Sequence, residues 1–301
     1  MKKIAFLVWM AAWLVSSSCT RQESLVQWVD PMIGTDYHAH TYPGATLPHG
    51  MVQLSPDNGP GGWDWCGGYH SSDSTIIGFS HTHISGTGVR DLCDITLMPQ
   101  VGEPVFEFGP KEQPDLGYRS RISHATEQAG AGYYSVFLED PKVKAELTAS
   151  LRCGYHRYTF EQMEKQHVML DFNYYNGNRT LNAKFRVVDN RTIEGVRVVK
   201  GWAPKREVYF HAVFSEPFTD VLAKIDVVYT GFNPIEDYYC NGPVLNFFPR
   251  IGEMIVEKPE NYSKETIESF KTKYKPAISV EKDQKVNVIV IQNEAWWDVS
   301  L

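Results

Sequence analysis

The sequence is short of positive charge. Its 29 lysines and arginines are outnumbered by 36 aspartates and glutamates, for a net charge of -7 at pH 7. Binding a phosphate backbone needs a basic face, so nucleic acid is excluded as the main partner. The densest basic run, Lys271 to Lys275, also holds Tyr274 and reads as a solvated helix face. Cysteine is scarce too. After Cys19 only Cys66, Cys93, Cys153 and Cys240 remain, and none has the CxxC spacing of a structural zinc motif. In an exported protein these four allow three disulfide pairings. The plainer reading is buried free thiols, which suits the setting of Cys66 best. HExxH and GxSxG are missing, which removes the usual signatures of a zinc peptidase and of a nucleophile-elbow hydrolase. Internal repeats, low-complexity tracts and long hydrophobic runs are missing as well. The longest apolar stretch, Ile4 to Val15, is too short to span a bilayer.

That stretch follows Lys2 and Lys3 and precedes Ser16, Ser17, Ser18 and Cys19. A positive n-region, an apolar h-region and small residues before cysteine predict a bacterial lipoprotein signal over residues 1–19. Cys19 is then the lipidated residue, and residues 20–27 are a tether. Membrane contact is expected only through that anchor, which places the protein in the periplasm or on the cell surface.

The remainder, 28–301, is 43% hydrophobic over the whole chain, enough for a folded core. From Asp30 to Gly117 it is dense in Gly, Pro, His, Trp and Asp, the composition of long structured loops that serve a site. From Gly132 the pattern changes. Val143 to Ala149 and Lys184 to Val187 alternate apolar and polar, the period of a half-buried strand. Short β-branched or aromatic runs follow at Tyr155–Phe160, His167–Leu170, Thr192–Val199, Val208–Phe214 and Val286–Ile291. Turn residues punctuate them, and Asn176-Gly177 is a hairpin signal. A helix is predicted from the cap at Ser263 to the stop at Pro276, with Ile267, Phe270 and Tyr274 on one side. The sum is an all-β fold: a large antiparallel β-sandwich with long loops and one or a few short helices.

Chemistry concentrates in the loops. Trp63, Trp65 and Tyr69 offer flat apolar faces on which the C–H groups of a pyranose can pack, with indole N–H and phenol O–H for hydroxyls. Asp64 can accept from a pair of sugar hydroxyls. Glycines such as Gly67 let backbone approach a ligand. The bland alternative is that the tryptophans plug one end of the sandwich while Asp64 ties down a turn. His81 and His83, like His38 and His40, stand two residues apart and could share a metal. With no third ligand apparent, hydrogen bonding to loop backbone is the preferred reading, and no metal ligands are assigned.

Four segments together closely resemble glycoside hydrolase family 92. They are Val29-Asp30-Pro31-Met32-Ile33-Gly34-Thr35, then Tyr42 to Asp57 (YPGATLPHGMVQLSPD), Gly62 to Tyr69 (GWDWCGGY), and Ile77 to Gly88 (IGFSHTHISGTG) continuing to Asp94-Ile95-Thr96-Leu97-Met98-Pro99. The match covers about Trp28 to Phe218. Three positions depart from the family pattern: His49 stands where an apolar aromatic is usual, and Arg90 and Cys93 interrupt a glycine-rich stretch. Beyond about residue 218 the chain diverges.

The resemblance implies an N-terminal β-sandwich of a secreted, calcium-dependent, inverting exo-α-mannosidase acting on mannose-containing glycans, as in N-glycan degradation. It implies a mannose pocket lined by Trp63, Asp64, Trp65, Cys66 and Gly67, with His81 and His83 nearby. The catalytic acid and base and most calcium ligands belong, in the family, to a C-terminal helical domain. This sequence has no run of amphipathic helices, so no catalytic residue is assigned. The chain alone is expected to be inactive, truncated before that domain or partnered with a separately encoded one. The alternative is a noncatalytic glycan-binding surface lipoprotein.

Overall fold

A computed structural model describes residues 24–162, 165–174 and 176–222, together with the backbone of 223–224, 244–245 and 287–296. The predicted signal and the first half of the tether lie outside the described residues, as does the helix expected after Ser263. The last tether residues join an exposed 3-10 turn, Leu25–Trp28. Among the described residues the other helices are short 3-10 turns as well: Trp63–Gly67, Pro114–Leu116 and His124–Thr126.

The strands are β1 (Ala45–Thr46), β2 (Gln53–Asp57), β3 (Thr75–Ile76), β4 (Gly78–Ser80), β5 (Thr96–Val101), β6 (Ser120–Arg121), β7 (Gln128–Gly130), β8 (Tyr133–Leu138) and β9 (Val143–Ala149). They continue with β10 (Cys153–Phe160), β11 (Gln166–Asp171), β12 (Arg179–Asp189), β13 (Thr192–Lys200), β14 (Arg206–Phe214), β15 (Ala223–Lys224), β16 (Val244–Leu245) and β17 (Asn287–Trp296). A seven-stranded sheet runs β1-β2-β4-β5-β11-β16-β15, and an eight-stranded sheet runs β12-β13-β14-β17-β10-β9-β8-β7. Among the described residues every ladder is antiparallel. The expected all-β sandwich is what the chain forms. The core joins Leu54, Phe79 and Leu97 of the first sheet to Tyr134, Leu147, Tyr158 and Phe210 of the second.

Two local expectations are corrected. Asn176-Gly177 does not close a hairpin. It lies between β11 in one sheet and β12 in the other, so it turns a crossing between layers. Gly177 still needs its left-handed φ of +84°. Asn176 is buried and donates from Nδ2 to the Cys66 carbonyl at 2.7 Å. The real hairpin is one connection later, where Asp189 pairs with Thr192. Val187 also misses the inward face, because register shifts interrupt the β12–β13 pairing just beyond it.

The long loops are tied to the second sheet by buried charge. Arg197 on β13 and Asp94, just before β5, are both fully buried and 2.7 Å apart. Arg197 also donates to the carbonyls of Phe172 and Tyr174 at 3.0 and 2.7 Å, to Thr180 Oγ1 at 3.0 Å and to Asn178 Oδ1 at 3.2 Å. Arg206 on β14 reaches the other Asp94 oxygen at 3.0 Å, and Thr82 donates to that oxygen at 2.8 Å. Removing one partner of such a pair leaves an uncompensated buried charge. Arg197→Met should therefore destabilise the fold by about 3–5 kcal/mol, read from urea unfolding midpoints, whereas Arg186→Met on the exposed β12 edge should cost less than about 1 kcal/mol.

Candidate functional site

Three loops meet at one rim. The turn Trp63–Gly67 starts after Gly62 and is stopped by Gly68, whose φ of +87° suits glycine and whose N–H returns to the Trp65 carbonyl at 2.9 Å. The loop of residues 30–42 lies beside it and holds Tyr37 and His40 in left-handed backbone. The loop of residues 84–92 closes the third side. Trp63 Nε1 donates to the Gly88 carbonyl at 2.8 Å, and a Cβ on Gly88 would fall 2.6 Å from the indole ring. Arg90 clamps the turn by donating to the carbonyls of Gly61 and Gly62.

The rim gathers part of the predicted set. Trp63 is 56% exposed, so it does not plug the sandwich. His40 packs edge-on against its ring at 4.3 Å between centroids. Asp64 is half-buried and is bonded by His38 Nδ1, with His40 Nε2 at 3.9 Å. The His38 bond holds the Asp64 carboxyl below the usual carboxylate range. Trp65 stands next to these residues in the chain but is committed to packing. Its ring stacks on His70 at 4.5 Å, Lys111 lies over it at 5.0 Å, and Nε1 donates to Asp73 at 3.2 Å. Cys66 and Gly67 are buried beneath the turn, where a Cβ on Gly67 would fall 2.7 Å from the Thr41 carbonyl.

The two predicted histidines are not on this rim. His81 is fully buried in the core, where Nδ1 donates to the Ile95 carbonyl at 2.7 Å. Its Nε2 must then accept, and it faces Nε2 of His156 at 2.9 Å. His156 therefore donates there and accepts at Nδ1 from the Tyr158 hydroxyl at 2.8 Å. Burial keeps both rings neutral, and with neutral rings this chain of partners sets both tautomers. His83 is also buried; Nδ1 donates to the Gln53 carbonyl at 2.8 Å, and Nε2 faces Asp57 Oδ1 at 3.1 Å. Sequence reasoning missed His38, His40 and Arg90 as rim residues. Only the two-residue spacing of the first pair hinted at a shared role.

What these elements define is an all-β sandwich domain that presents an exposed indole, a histidine-held carboxylate and glycine-rich backbone on one rim. A model of the Glycosyl hydrolase family 92 N-terminal domain matches residues 28–231. The chain belongs to glycoside hydrolase family 92. The family GH92 alpha-mannosidase BT3965 of Bacteroides thetaiotaomicron, solved in complex with mannoimidazole, matches with a TM-score of 0.71 and 32% identity, over 90% of this chain and 32% of that one. The GH92 inverting mannosidase BT2199 of the same organism matches with a TM-score of 0.60 at 21% identity, over 91% and 32% of the two chains, which speaks to fold alone. An uncharacterized secreted glycosidase of Arthroderma benhamiae is 30% identical over 153 residues, 49% of this chain and 19% of the relative. The chain thus spans about a third or less of the length of these proteins.

Burial pushes His81 down to about 3 and His156 well below the ordinary imidazole range. Unfolded, both titrate near about 6.5. Between those limits the unfolded chain binds more protons, so stability is complete above about pH 6.5 and falls as pH drops toward 3. Both rings should give neutral-imidazole carbon shifts by NMR at pH 5. A folded-state midpoint near 6.5 for either ring would contradict the arrangement.

Proposed function

We propose that this domain forms the sugar-facing wall of an α-mannosidase pocket, with Trp63 and Asp64 as its principal contacts. The observation that carries the reading is the exposure of Trp63 beside Asp64 on a rim braced from below and from both sides. The indole offers a face to the C–H groups of a terminal mannose. Asp64, kept ionised, accepts from sugar hydroxyls in charge-assisted bonds. His38 and His40 hold the carboxylate and the ring edge in place. Cys66 and Gly67 shape the turn from beneath, and Trp65 stiffens it.

The acid and base of an inverting hydrolysis are assigned to no residue here. Such a mechanism needs two carboxyl groups about 6.5–9.5 Å apart across the scissile bond. The calcium implied by the family needs about six to eight oxygen ligands. On the rim Asp64 is already held by His38, and among the described residues no oxygen shell of that size gathers around it, so they do not fit that ion and no step is routed through it. Export by a lipoprotein signal with Cys19 acylated belongs to the same proposal, supported by the N-terminal pattern and by a relative described as secreted. Among the described residues no helix is long and apolar enough to cross a membrane.

Part of a pocket makes few contacts, so affinity should be weak, about millimolar. Saturation-transfer NMR on the purified chain should detect methyl α-mannoside. The signal should vanish in Trp63→Ala and weaken at least tenfold in Asp64→Asn. Trp63→Ala should cost no more than about 1 kcal/mol of stability, since the ring is exposed and loses a single hydrogen bond. No transfer to mannoside with the native chain, or an unchanged signal in Trp63→Ala, would overturn the assignment.

A further inference from the structure

Behind the Trp63–Gly67 turn, three side chains from separate segments converge. Asp57 ends β2, His83 follows β4, and Cys93 sits two residues before Ile95 in the approach to β5. One ligand atom from each lies within 4.8 Å of the others, and all three residues are buried. His83 Nδ1 is spent on the Gln53 carbonyl, which in the neutral ring leaves the Nε2 lone pair pointing at Asp57 Oδ1, 3.1 Å away. With the ring neutral two acceptors face each other there, a gap that a cation would bridge. The second Asp57 oxygen is buried with no hydrogen-bond partner among the described residues. Ser80 Oγ stands 3.3 Å from the same His83 nitrogen.

Two backbone features keep the cluster open and aimed. A Cβ on Gly68 would fall 2.6 Å from Asp57 Oδ1 and 2.9 Å from Cys93 Sγ, so glycine preserves the space. Cys93 holds a left-handed φ of +57°, which glycine would adopt without strain. A side chain is carried there at a conformational cost, as it is at Leu92 and Ile95 on either side. The arrangement is not a thiol–imidazole–carboxylate nucleophile, because the imidazole nitrogen that would be oriented by the carboxylate is bonded to backbone.

We propose that Asp57, His83 and Cys93 bind a zinc ion that pins the floor of the rim. One carboxylate, one neutral imidazole and one thiolate are the donor types zinc takes, at about 2.0–2.3 Å in tetrahedral geometry. Calcium and magnesium, which want oxygen shells, do not fit this set. The carboxylate and thiolate offset the ion's two charges, so the buried site is neutral. Ser80 Oγ, 3.3 Å from His83 Nε2, stands near enough to complete the shell. Burial keeps the metal-free Cys93 thiol protonated, so zinc uptake forms the Zn–S bond and releases that proton to solvent. The neighbouring Gly68 couples the site to the turn that carries Trp63.

The test uses the untagged chain, dialysed against metal-depleted buffer and then titrated with zinc. A single zinc per chain should remain by elemental analysis, and chelation should lower the thermal midpoint. Cobalt in place of zinc should give a thiolate-to-metal charge-transfer band in the near ultraviolet. Cys93→Gly should lose the band and the stoichiometric zinc while keeping its far-ultraviolet circular dichroism; Cys153→Ser should keep all three. Failure of the native chain to take up stoichiometric zinc or to show the cobalt–thiolate band would overturn the site, whether or not Cys93→Gly folds. Full zinc retention by a folded Cys93→Gly would overturn it as well.

Discussion

The ion pair between Asp94 and Arg197 is the constraint on which the loops depend. Both side chains are fully buried, and burying two charges is favourable only when every remaining donor and acceptor is met. Here they nearly are. The guanidinium is shared among Asp94, three carbonyls and two polar side chains, while Asp94 also takes Thr82 and Arg206. The pair therefore ties the approach to β5 onto β13 and β14 of the other sheet. It fixes the ends of the segment that contains His83, Gly88, Arg90 and Cys93. Asp91 adds a second tie, accepting from Trp202 N–H at 2.9 Å and Asn178 Nδ2 at 3.1 Å.

From that anchor the rim follows. Gly88 meets the Trp63 ring because its loop is held from below, and Arg90 grips the carbonyls that precede the turn. Asn176, on the crossing between sheets, bonds the Cys66 carbonyl from the other side. A turn held at three points can present an exposed indole with little entropy left to lose when a ligand binds, which is the physical content of preorganisation. The neutral His81–His156 pair lies deeper, in the core, and fills polar requirements there without adding charge.

The strands could be read along the chain because alternation and β-branching are local properties, and Val143–Ala149 is a direct example. The Asn176-Gly177 signal was misread for the same reason. A sequence shows that the chain turns, whereas the sheet it turns toward depends on distant partners. Trp63 and Asp64 could be picked out by residue type within one short segment. His38, Asp57 and Cys93 could not, since each acquires its neighbour from a different part of the chain and no spacing encodes that.

The sequence alone determined the class of fold and the family, because periodicity and wording of the loop motifs are carried by consecutive residues. It also determined which residue types were available to meet a sugar. Only the tertiary structure decided which of them stand in the open. It left Trp63 at the surface, packed Trp65 against His70 and Lys111, sank His81 into a hydrogen-bonded pair, and brought Asp57, His83 and Cys93 together. Burial and proximity arise from the packing of two sheets and the charges between them, and those are properties of pairs of residues far apart in the chain.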